Sequence, residues 1–212
     1  MNEPIASGRE ADIFALDAGR VLRRYRRVAD VTGEAAVMTH VAAHGYPVPA
    51  VHEAHGSDMV LERLDGPTMA QAMAAGELAI ADGAVLLAAL LERLHKLPPL
   101  TSGHIVHLDL HPENVMLTSR GPVVIDWCNA TDGEPDLDIA LSALMLAQVE
   151  IDRRHPWSAA AGEFLDAFLP LAPGDPLRLL DDAVSIKSRQ STITPEEIEV
   201  LGTAADRVRG GR

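Results

Sequence analysis

Hydrophobic patterning divides this 212-residue chain near residue 65, and the division constrains the fold more than any other feature. Before residue 65, short apolar runs typical of strands surround one stretch of helical spacing. The strand-like runs are Val21–Tyr25, Val48–Val51 and Met59–Leu64. The helical stretch is Val31–His44, which is followed by a glycine and a proline that would end a helix. We therefore predict a small N-terminal unit that combines strands with one helix.

Helical spacing dominates the rest of the chain. The predicted helices are Leu78–Leu97, Leu137–Glu150, Ala159–Leu169, Pro176–Lys187 and Pro195–Val208. Between the two parts, Leu64–Pro67 has the composition of a hinge. The sequence thus predicts an α+β protein with two lobes, residues 1–64 and residues 65–212. A cleft between two such lobes often binds a ligand.

The charge balance is acidic, with 31 acidic and 18 basic residues and a formal charge of −13. Proteins that bind nucleic acid need a basic surface, so we expect no nucleic-acid partner. We also expect no membrane partner, because Ala84–Leu91 and Ile139–Ala147, the most apolar stretches, are far shorter than the ~20 residues that span a bilayer. The N-terminus lacks a signal-peptide pattern, and Cys128 is the single cysteine. These features predict a cytoplasmic protein.

A dense group of polar residues interrupts the helical part of the chain. It contains His107, Asp109 and Asn114, and it is followed by Val115–Leu117 and Val123–Ile125. The two short apolar runs flank a Thr-Ser-Arg-Gly sequence, which is typical of a β-hairpin. The polar group is therefore predicted to form a loop that leads into this hairpin.

The hairpin suggests how the polar residues could act together. If its pairing is symmetric about Arg120, Asn114 and Asp126 face each other just beyond its open end. An amide oxygen and a carboxylate are hard oxygen ligands of the kind that suit Mg²⁺, which also keeps water and substrate phosphate oxygens. Asp109 lies near enough in sequence to act on whatever the metal holds without being a ligand itself.

A second pair of charged residues is predicted in the N-terminal lobe. Strand alternation places Arg23 on the same face as Val21 and Tyr25. Glu34 falls on the apolar stripe of the predicted helix Val31–His44. A buried cation and a buried carboxylate each need a partner, so we predict that Arg23 and Glu34 pair, with Arg24 as a rival for the role of Arg23.

Together these residues resemble the protein-kinase-like superfamily. The sequence from His107 to Asn114, followed by Ile125-Asp126-Trp127, is most similar to the aminoglycoside phosphotransferase family, which also has choline kinase-like members. The resemblance covers most of residues 5–150. It implies a small N-terminal lobe with an antiparallel sheet and one helix, and a larger, mostly helical C-terminal lobe that carries the catalytic loop and the acceptor site.

The resemblance also implies roles for individual residues. Asp109 would accept the proton of the substrate hydroxyl, while Asn114 and Asp126 would hold Mg²⁺ against the nucleotide phosphates. Arg23, steadied by Glu34, would grip those phosphates, although the family usually has lysine at this position. The remaining positions implied to bind nucleotide or support the site are Gly8 in a phosphate-covering loop, Glu62 and Leu64 at the adenine edge, His107 as a scaffold for the catalytic loop, and Asp138 as a helix cap or loop brace.

The predicted function is therefore transfer of the γ-phosphoryl group of ATP, with GTP as the other possible donor, to a hydroxyl of a small molecule. Aminoglycosides fit the acidic charge, but the sequence does not select among small alcohols or between a monomer and a homodimer. One alternative is a nucleotide-binding regulatory module without turnover, which Arg23 and the glycine-poor loop favour. Another is a metal hydrolase, in which His107, Asp109 and His111 would bind zinc.

Overall fold

The computed structural model describes residues 3–189 and 193–210. The N-terminal lobe is a five-stranded sheet in the order β1-β2-β3-β5-β4, and every pairing in it is antiparallel. Its elements are β1 (Ala6–Ser7), β2 (Ala11–Ala15), β3 (Arg20–Tyr25), α1 (Thr32–Ala43), β4 (Val51–His55) and β5 (Asp58–Glu62). Val21 and Arg23 of β3 are buried on the same face, as the alternation predicted. The same core contains Val37, Met38 and Val41 of α1.

Three strands of this lobe differ from the sequence prediction. Of the run Val48–Val51, Val51 alone belongs to β4, because Pro49 in the middle of the run lacks the N–H that a paired strand position donates. The edge strand β4 itself is mostly polar and escaped the apolar pattern. The short strands β1 and β2 were also not predicted, since the segment Ser7–Phe14 had been interpreted as a loop or turn.

The C-terminal lobe is mostly helical. Its helices are α2 (Met69–Ala74), α3 (Ile80–His95), α4 (Pro135–Ile151), α5 (Ser158–Phe168), α6 (Leu180–Lys187) and α7 (Pro195–Gly210). Short two-stranded pairings join β6 (His104–Val106) to β9 (Thr131–Gly133) and β7 (Val115–Thr118) to β8 (Gly121–Val124). Single 3₁₀ turns cover Pro112–Asn114 and Leu169–Leu171. The α+β kinase-like fold predicted from the sequence is confirmed.

The helix predictions hold except at two places. The predicted helix Pro176–Lys187 begins only at Leu180, because residues 176–179 form turns. The six-residue α2 was missed, since it is too short to show a period. A capping box explains its start: the Thr68 hydroxyl accepts the N–H of Gln71, and the Gln71 side chain accepts the N–H of Thr68.

Helix α4 forms the centre of the larger lobe. Its segment Ile139–Ala147 is buried at every position, which explains why this run has no charged residue and no polar face, Ser142 being its single polar position. Helices α5, α6 and α7 pack against it. Among the described residues, no helix is both long and apolar enough to cross a membrane.

The segment between the lobes is held against the hairpin β7–β8. The Leu117 N–H donates to the Pro67 carbonyl at 2.8 Å. Gly66 has a φ of +85°, and a Cβ at this position would overlap the carbonyl oxygen of Leu117. Only glycine fits both the backbone conformation and the close approach. The predicted hinge is therefore anchored at one end, while the lobe boundary at residue 64 stays a prediction.

Candidate active site

The catalytic-loop motif lies between β6 and β7 and is fixed by a buried carboxylate. Asp138 of α4 has a side chain with 0% exposure. It accepts the backbone N–H groups of His107 at 2.9 Å and Leu108 at 2.7 Å, and its Oδ2 lies 2.9 Å from Nε2 of His95. Leu108 has a φ of +62°, a conformation that is rare for a residue with a side chain. Asp138 thus makes the contacts of a brace for the loop.

His107 is also positioned to support the loop. It is fully buried, and its Nε2 lies 3.1 Å from the carbonyl oxygen of Ile125. Its ring packs edge-on against Trp127, with 4.9 Å between the ring centroids. These contacts join the start of the loop to the strand end that carries Asp126, which agrees with the scaffolding role implied for His107.

Asp109 and Asn114 are linked directly to each other. The Asn114 Nδ2 donates to the Asp109 carbonyl oxygen at 2.9 Å and approaches Asp109 Oδ2 at 3.3 Å. With the nitrogen engaged in this way, the amide oxygen is the atom of Asn114 that could bind a cation. The hairpin register differs from the prediction: Val115 pairs with Val124, and Ile125, not Asp126, lies opposite Asn114. The reason is a two-residue turn at Ser119–Arg120, which moves the centre of symmetry by half a residue.

Asp126 nevertheless joins the same cleft. Asp109, Asn114 and Asp126 all line one interlobe cavity of about 2080 Å³, together with residues of the small lobe. Asp126 has a φ of +63°, a second strained backbone conformation at this site. An amide oxygen and a carboxylate on one cavity wall suit Mg²⁺, which binds few protein ligands and completes its shell with water and phosphate. The donor set therefore fits the implied metal.

The predicted pairing of Arg23 with Glu34 is confirmed. Arg23 Nη1 donates to Glu34 Oε1 at 2.8 Å, and the Tyr25 hydroxyl donates to Glu34 Oε2 at 2.7 Å. Arg23 Nη2 also reaches Asp126 Oδ1 at 2.5 Å, a contact between the lobes that the sequence did not suggest. The rival Arg24 lies away from this cluster and pairs with Asp58 at 2.6 Å.

The cluster shifts the pKa values of its two carboxylates, Asp126 and Glu34, in opposite directions. Burial would raise the pKa of Asp126, but the attraction of Arg23 outweighs it and holds the pKa below its usual value. For Glu34, burial prevails over Arg23 and Tyr25, and the pKa rises. Asp126 is therefore the more firmly ionised of the two, as a metal ligand must be.

The other predicted nucleotide contacts also line the cavity. Gly8 lies at the tip of the β1–β2 hairpin, where its N–H donates to the Ala11 carbonyl. Glu62 and Leu64 lie on the cavity wall at the end of β5. The Glu62 N–H already donates to the Ala50 carbonyl at 2.9 Å, so this donor is engaged within the lobe. The nucleotide roles of Gly8, Glu62 and Leu64 stay predictions.

The alternative zinc site does not form. Within the described residues 3–189 and 193–210, no group of three or more His, Cys, Asp or Glu side chains is arranged to hold a metal ion. His107 is turned to the Ile125 carbonyl, and His111 Nε2 lies 3.2 Å from Asn114 Nδ2. Burial lowers the pKa of His111, so the ring is neutral near pH 7 and can accept the hydrogen bond from Asn114.

One residue of the site was missed by the sequence analysis. Lys187, at the end of α6, places its Nζ 3.8 Å from Asp109 Oδ1. It also lines the interlobe cavity. No local motif marks this lysine, because its neighbours in sequence belong to the surface of an ordinary helix. The contact depends on the packing of α6 against α4, which brings together residues far apart in the chain.

The two-part α+β fold and the cleft with these polar groups agree with the resemblance found in the sequence. The profile of the phosphotransferase enzyme family matches residues 2–104 and 101–179. The chain therefore belongs to the phosphotransferase enzyme family. No curated protein gives a significant match.

Solved structures support the same fold. A thermostable mutant of aminoglycoside phosphotransferase APH(4)-Ia is 16% identical, with a TM-score of 0.69 over 99% of this chain and 94% of the other. The gentamicin complex of APH(2'')-IIa is 13% identical, with a TM-score of 0.61 and coverage of 97% and 92%. APH(3'')-Id from Streptomyces rimosus is 16% identical, with a TM-score of 0.57 and coverage of 97% and 92%.

Proposed function

We propose that the protein transfers the γ-phosphoryl group of ATP to a hydroxyl group of a small molecule, with Mg²⁺ as the metal. The observation that carries this proposal is the convergence of Asp109, Asn114 and Asp126 on one interlobe cavity. Related structures include an ADP and hygromycin B complex of APH(4)-Ia and an ADP complex of APH(2'')-Ib, which support a nucleotide and a small polar acceptor.

Each residue contributes a separate part of the reaction. Asp109 orients the acceptor hydroxyl and takes its proton, since phosphoryl transfer needs an aligned nucleophile more than covalent chemistry. Asn114 and Asp126 would hold the metal through oxygen atoms. When bound, Mg²⁺ would neutralise charge on the phosphate oxygens. Arg23, fixed by Glu34, stands beside Asp126 at the same phosphate end of the cleft.

The acceptor is proposed to be a small alcohol, with aminoglycosides as the first class to test. The lining of the cavity includes Asp152, Glu196 and Glu199, and these acidic side chains suit a polycationic acceptor. Arg153 and Arg154 line the same region, so amino alcohols, homoserine and sugars belong in the same screen. ATP and GTP should be compared as donors.

The first experiment is an ATP-consumption screen over these acceptors with Asp109→Asn beside the wild type. We expect the variant to lose about 10²–10⁴-fold in kcat and to keep its affinity for Mg·ATP, because Asp109 acts on the hydroxyl and not on the metal. Asp126→Asn should weaken nucleotide binding as well. Asp182→Asn, an exposed carboxylate on α6, is the matched control and should behave as wild type.

The outcomes separate the candidate functions. Full activity of Asp109→Asn would contradict its assigned role. Nucleotide binding without consumption for any acceptor would favour the regulatory module. Absence of nucleotide binding at any Mg²⁺ concentration would overturn the proposal, and both titration calorimetry and thermal unfolding can detect that binding.

A further inference from the structure

Lys187 is a cation in contact with the residue proposed to activate the acceptor. Its side chain is only 14% exposed, and its Nζ lies 3.8 Å from Asp109 Oδ1. Burying an ammonium group without close partners is unfavourable, which makes this an unusual place for a lysine. The chain's other lysine, Lys96, is 70% exposed and pairs with Glu92 on the surface of α3. Lys187 therefore occupies a position that a purely solubilising lysine would not.

The distance between the two groups is informative. At 3.8 Å, Nζ and Oδ1 are farther apart than the atoms of a direct hydrogen bond. An oxygen atom placed beside both could lie at about 2.8 Å from each. An oxygen in contact with both must donate a proton to the carboxylate, so it is that of the acceptor hydroxyl. The transferring phosphoryl group lies next to this hydroxyl in the reaction, and its oxygens, which carry no proton, can accept from Nζ alone.

The pairing of Lys187 with Asp109 is long enough to let the ammonium donate to such an oxygen as well. Burial lowers the pKa of Lys187, and nearby Arg9 lowers it further, while Asp109 and Glu197 favour the charged form. Arg9, at the tip of the β1–β2 hairpin, is itself paired with Glu197 of α7 at 2.6 Å. Arg23 is likewise engaged by two carboxylates. Lys187 is held more loosely than either arginine.

The two oxygens of Asp109 face different partners. Oδ2 lies on the side of Asn114, at 3.3 Å from its Nδ2, and Oδ1 lies on the side of Lys187. The carboxylate is thus placed between a proposed metal ligand and a cation. A group that reacts at Asp109 would have the metal on one side and the ammonium on the other.

From this geometry we propose that Lys187 is a further catalytic residue, whose ammonium donates hydrogen bonds to an oxygen of the transferring phosphoryl group. The inference rests on the proposed function. In the step, the acceptor oxygen forms a bond to the γ-phosphorus and the bond from that phosphorus to the β–γ bridging oxygen breaks. ADP leaves, and the hydroxyl proton passes to Asp109. Lys187 remains protonated throughout and stabilises the charge on the phosphoryl oxygens.

The test compares Lys187→Met, Lys187→Arg and the control Lys96→Met. Titration calorimetry measures the affinity for Mg·ADP alone and for Mg·ADP with aluminium fluoride, which mimics the planar transferring phosphoryl group. We expect Lys187→Met to bind Mg·ADP within about twofold of wild type and to bind the fluoride complex at least about tenfold more weakly. The kcat of Lys187→Met should fall about 10²–10³-fold, and the kcat of Lys187→Arg should fall less, because arginine keeps the positive charge. Lys96→Met should match wild type throughout.

The outcomes also separate this inference from the function on which it rests. Equal affinity of Lys187→Met and wild type for the fluoride complex would overturn the proposal. So would an equal loss of affinity for both complexes accompanied by a lower Tm, because that result indicates a structural role. If Lys187→Met does not fold, Lys187→Gln, which keeps a polar side chain without the charge, takes its place, and an unchanged affinity for the fluoride complex with no loss of kcat has the same meaning. A wild type that binds no nucleotide would refute the proposed function itself.

Discussion

The two lobes hold their parts of the site by different physical means. In the small lobe, Arg23 is fixed by side-chain charges, with Glu34 on one side and Asp126 of the other lobe on the opposite side. In the large lobe, the backbone of the catalytic loop is fixed by the buried carboxylate of Asp138. Charge pairs can be retuned by a ligand, whereas buried backbone hydrogen bonds cannot be released without disturbing the fold. The comparison indicates an adaptable wall around Arg23 and a rigid loop that carries Asp109.

The largest effect should come from the rigid side. Asp138→Asn replaces one acceptor oxygen with a donor that faces buried N–H groups, so we expect a loss of about 3 kcal/mol in the free energy of unfolding. Chemical denaturation measures this change. The control is Asp166→Asn, which removes a carboxylate paired with Arg207 on the surface and should cost less than about 1 kcal/mol. Equal losses in the two variants would mean that Asp138 fixes the loop no more firmly than a surface ion pair does.

A smaller effect on stability is expected from the adaptable side. Glu34→Gln keeps the size of the side chain but removes its charge, and Arg23 retains Asp126 as a partner. Because burial already raises the pKa of Glu34, its ionised form stabilises the fold little, and we expect a loss of about 1 kcal/mol. The Kd for Mg·ATP should rise about tenfold, since Arg23 is no longer positioned from both sides.

The matched control for this variant is Asp58→Asn. Asp58 pairs with Arg24, which follows Arg23 in β3 but lies outside the cluster around Arg23. Calorimetric titration with Mg·ATP should give the wild-type Kd for Asp58→Asn. A Kd for Glu34→Gln that also equals that of wild type would mean that the pair Arg23–Glu34 serves only the stability of the small lobe.

The smallest effect is expected at Asp132. This carboxylate accepts backbone N–H groups as Asp138 does, but it lies near the surface. Burial would raise the pKa of Asp132, yet bonds from the Thr101 hydroxyl and from the N–H groups of Leu100, Thr101 and Ser102 lower it to about 2. A lowered pKa means that the stabilisation is present above about pH 4 and is lost as the pH falls towards 2.

Asp132→Asn should therefore reduce the Tm by less than about 4 °C at pH 7. The difference between variant and wild type should shrink on acidification from about pH 4 to pH 2. Thermal unfolding across this range checks the prediction. A difference that stays constant with pH would show that the ionised form of Asp132 contributes nothing to the hydrogen bonds.

The organisation of the chain could be predicted because it depends on local patterns. Strand alternation placed Arg23 and Val21 on one face, and the stripe of α1 turned Glu34 towards them. The buried run of α4 was visible as a stretch without a charged residue, with Ser142 as its single polar position. Such signals come from residues within one or two helical turns of each other, so they can be recognised without the tertiary structure.

The features that the sequence did not predict have a different cause. The hairpin register depended on whether the turn contains two residues or more, and the sequence Thr-Ser-Arg-Gly permits both. The contacts of Arg23 with Asp126 and of Lys187 with Asp109 join residues far apart in the chain. No periodicity encodes them, because they arise only when the lobes and helices have packed.

The ion pair between Arg23 and Asp126 affects how an inactive variant of Asp126 should be interpreted. One carboxylate neutralises a cation of the small lobe while its own backbone belongs to the large lobe. Removing that carboxylate withdraws a proposed metal ligand and also cuts a tie between the two halves of the molecule. An activity assay cannot separate the loss of a metal ligand from the loss of the contact between the lobes. A parallel measurement of overall shape, such as small-angle scattering, tells them apart.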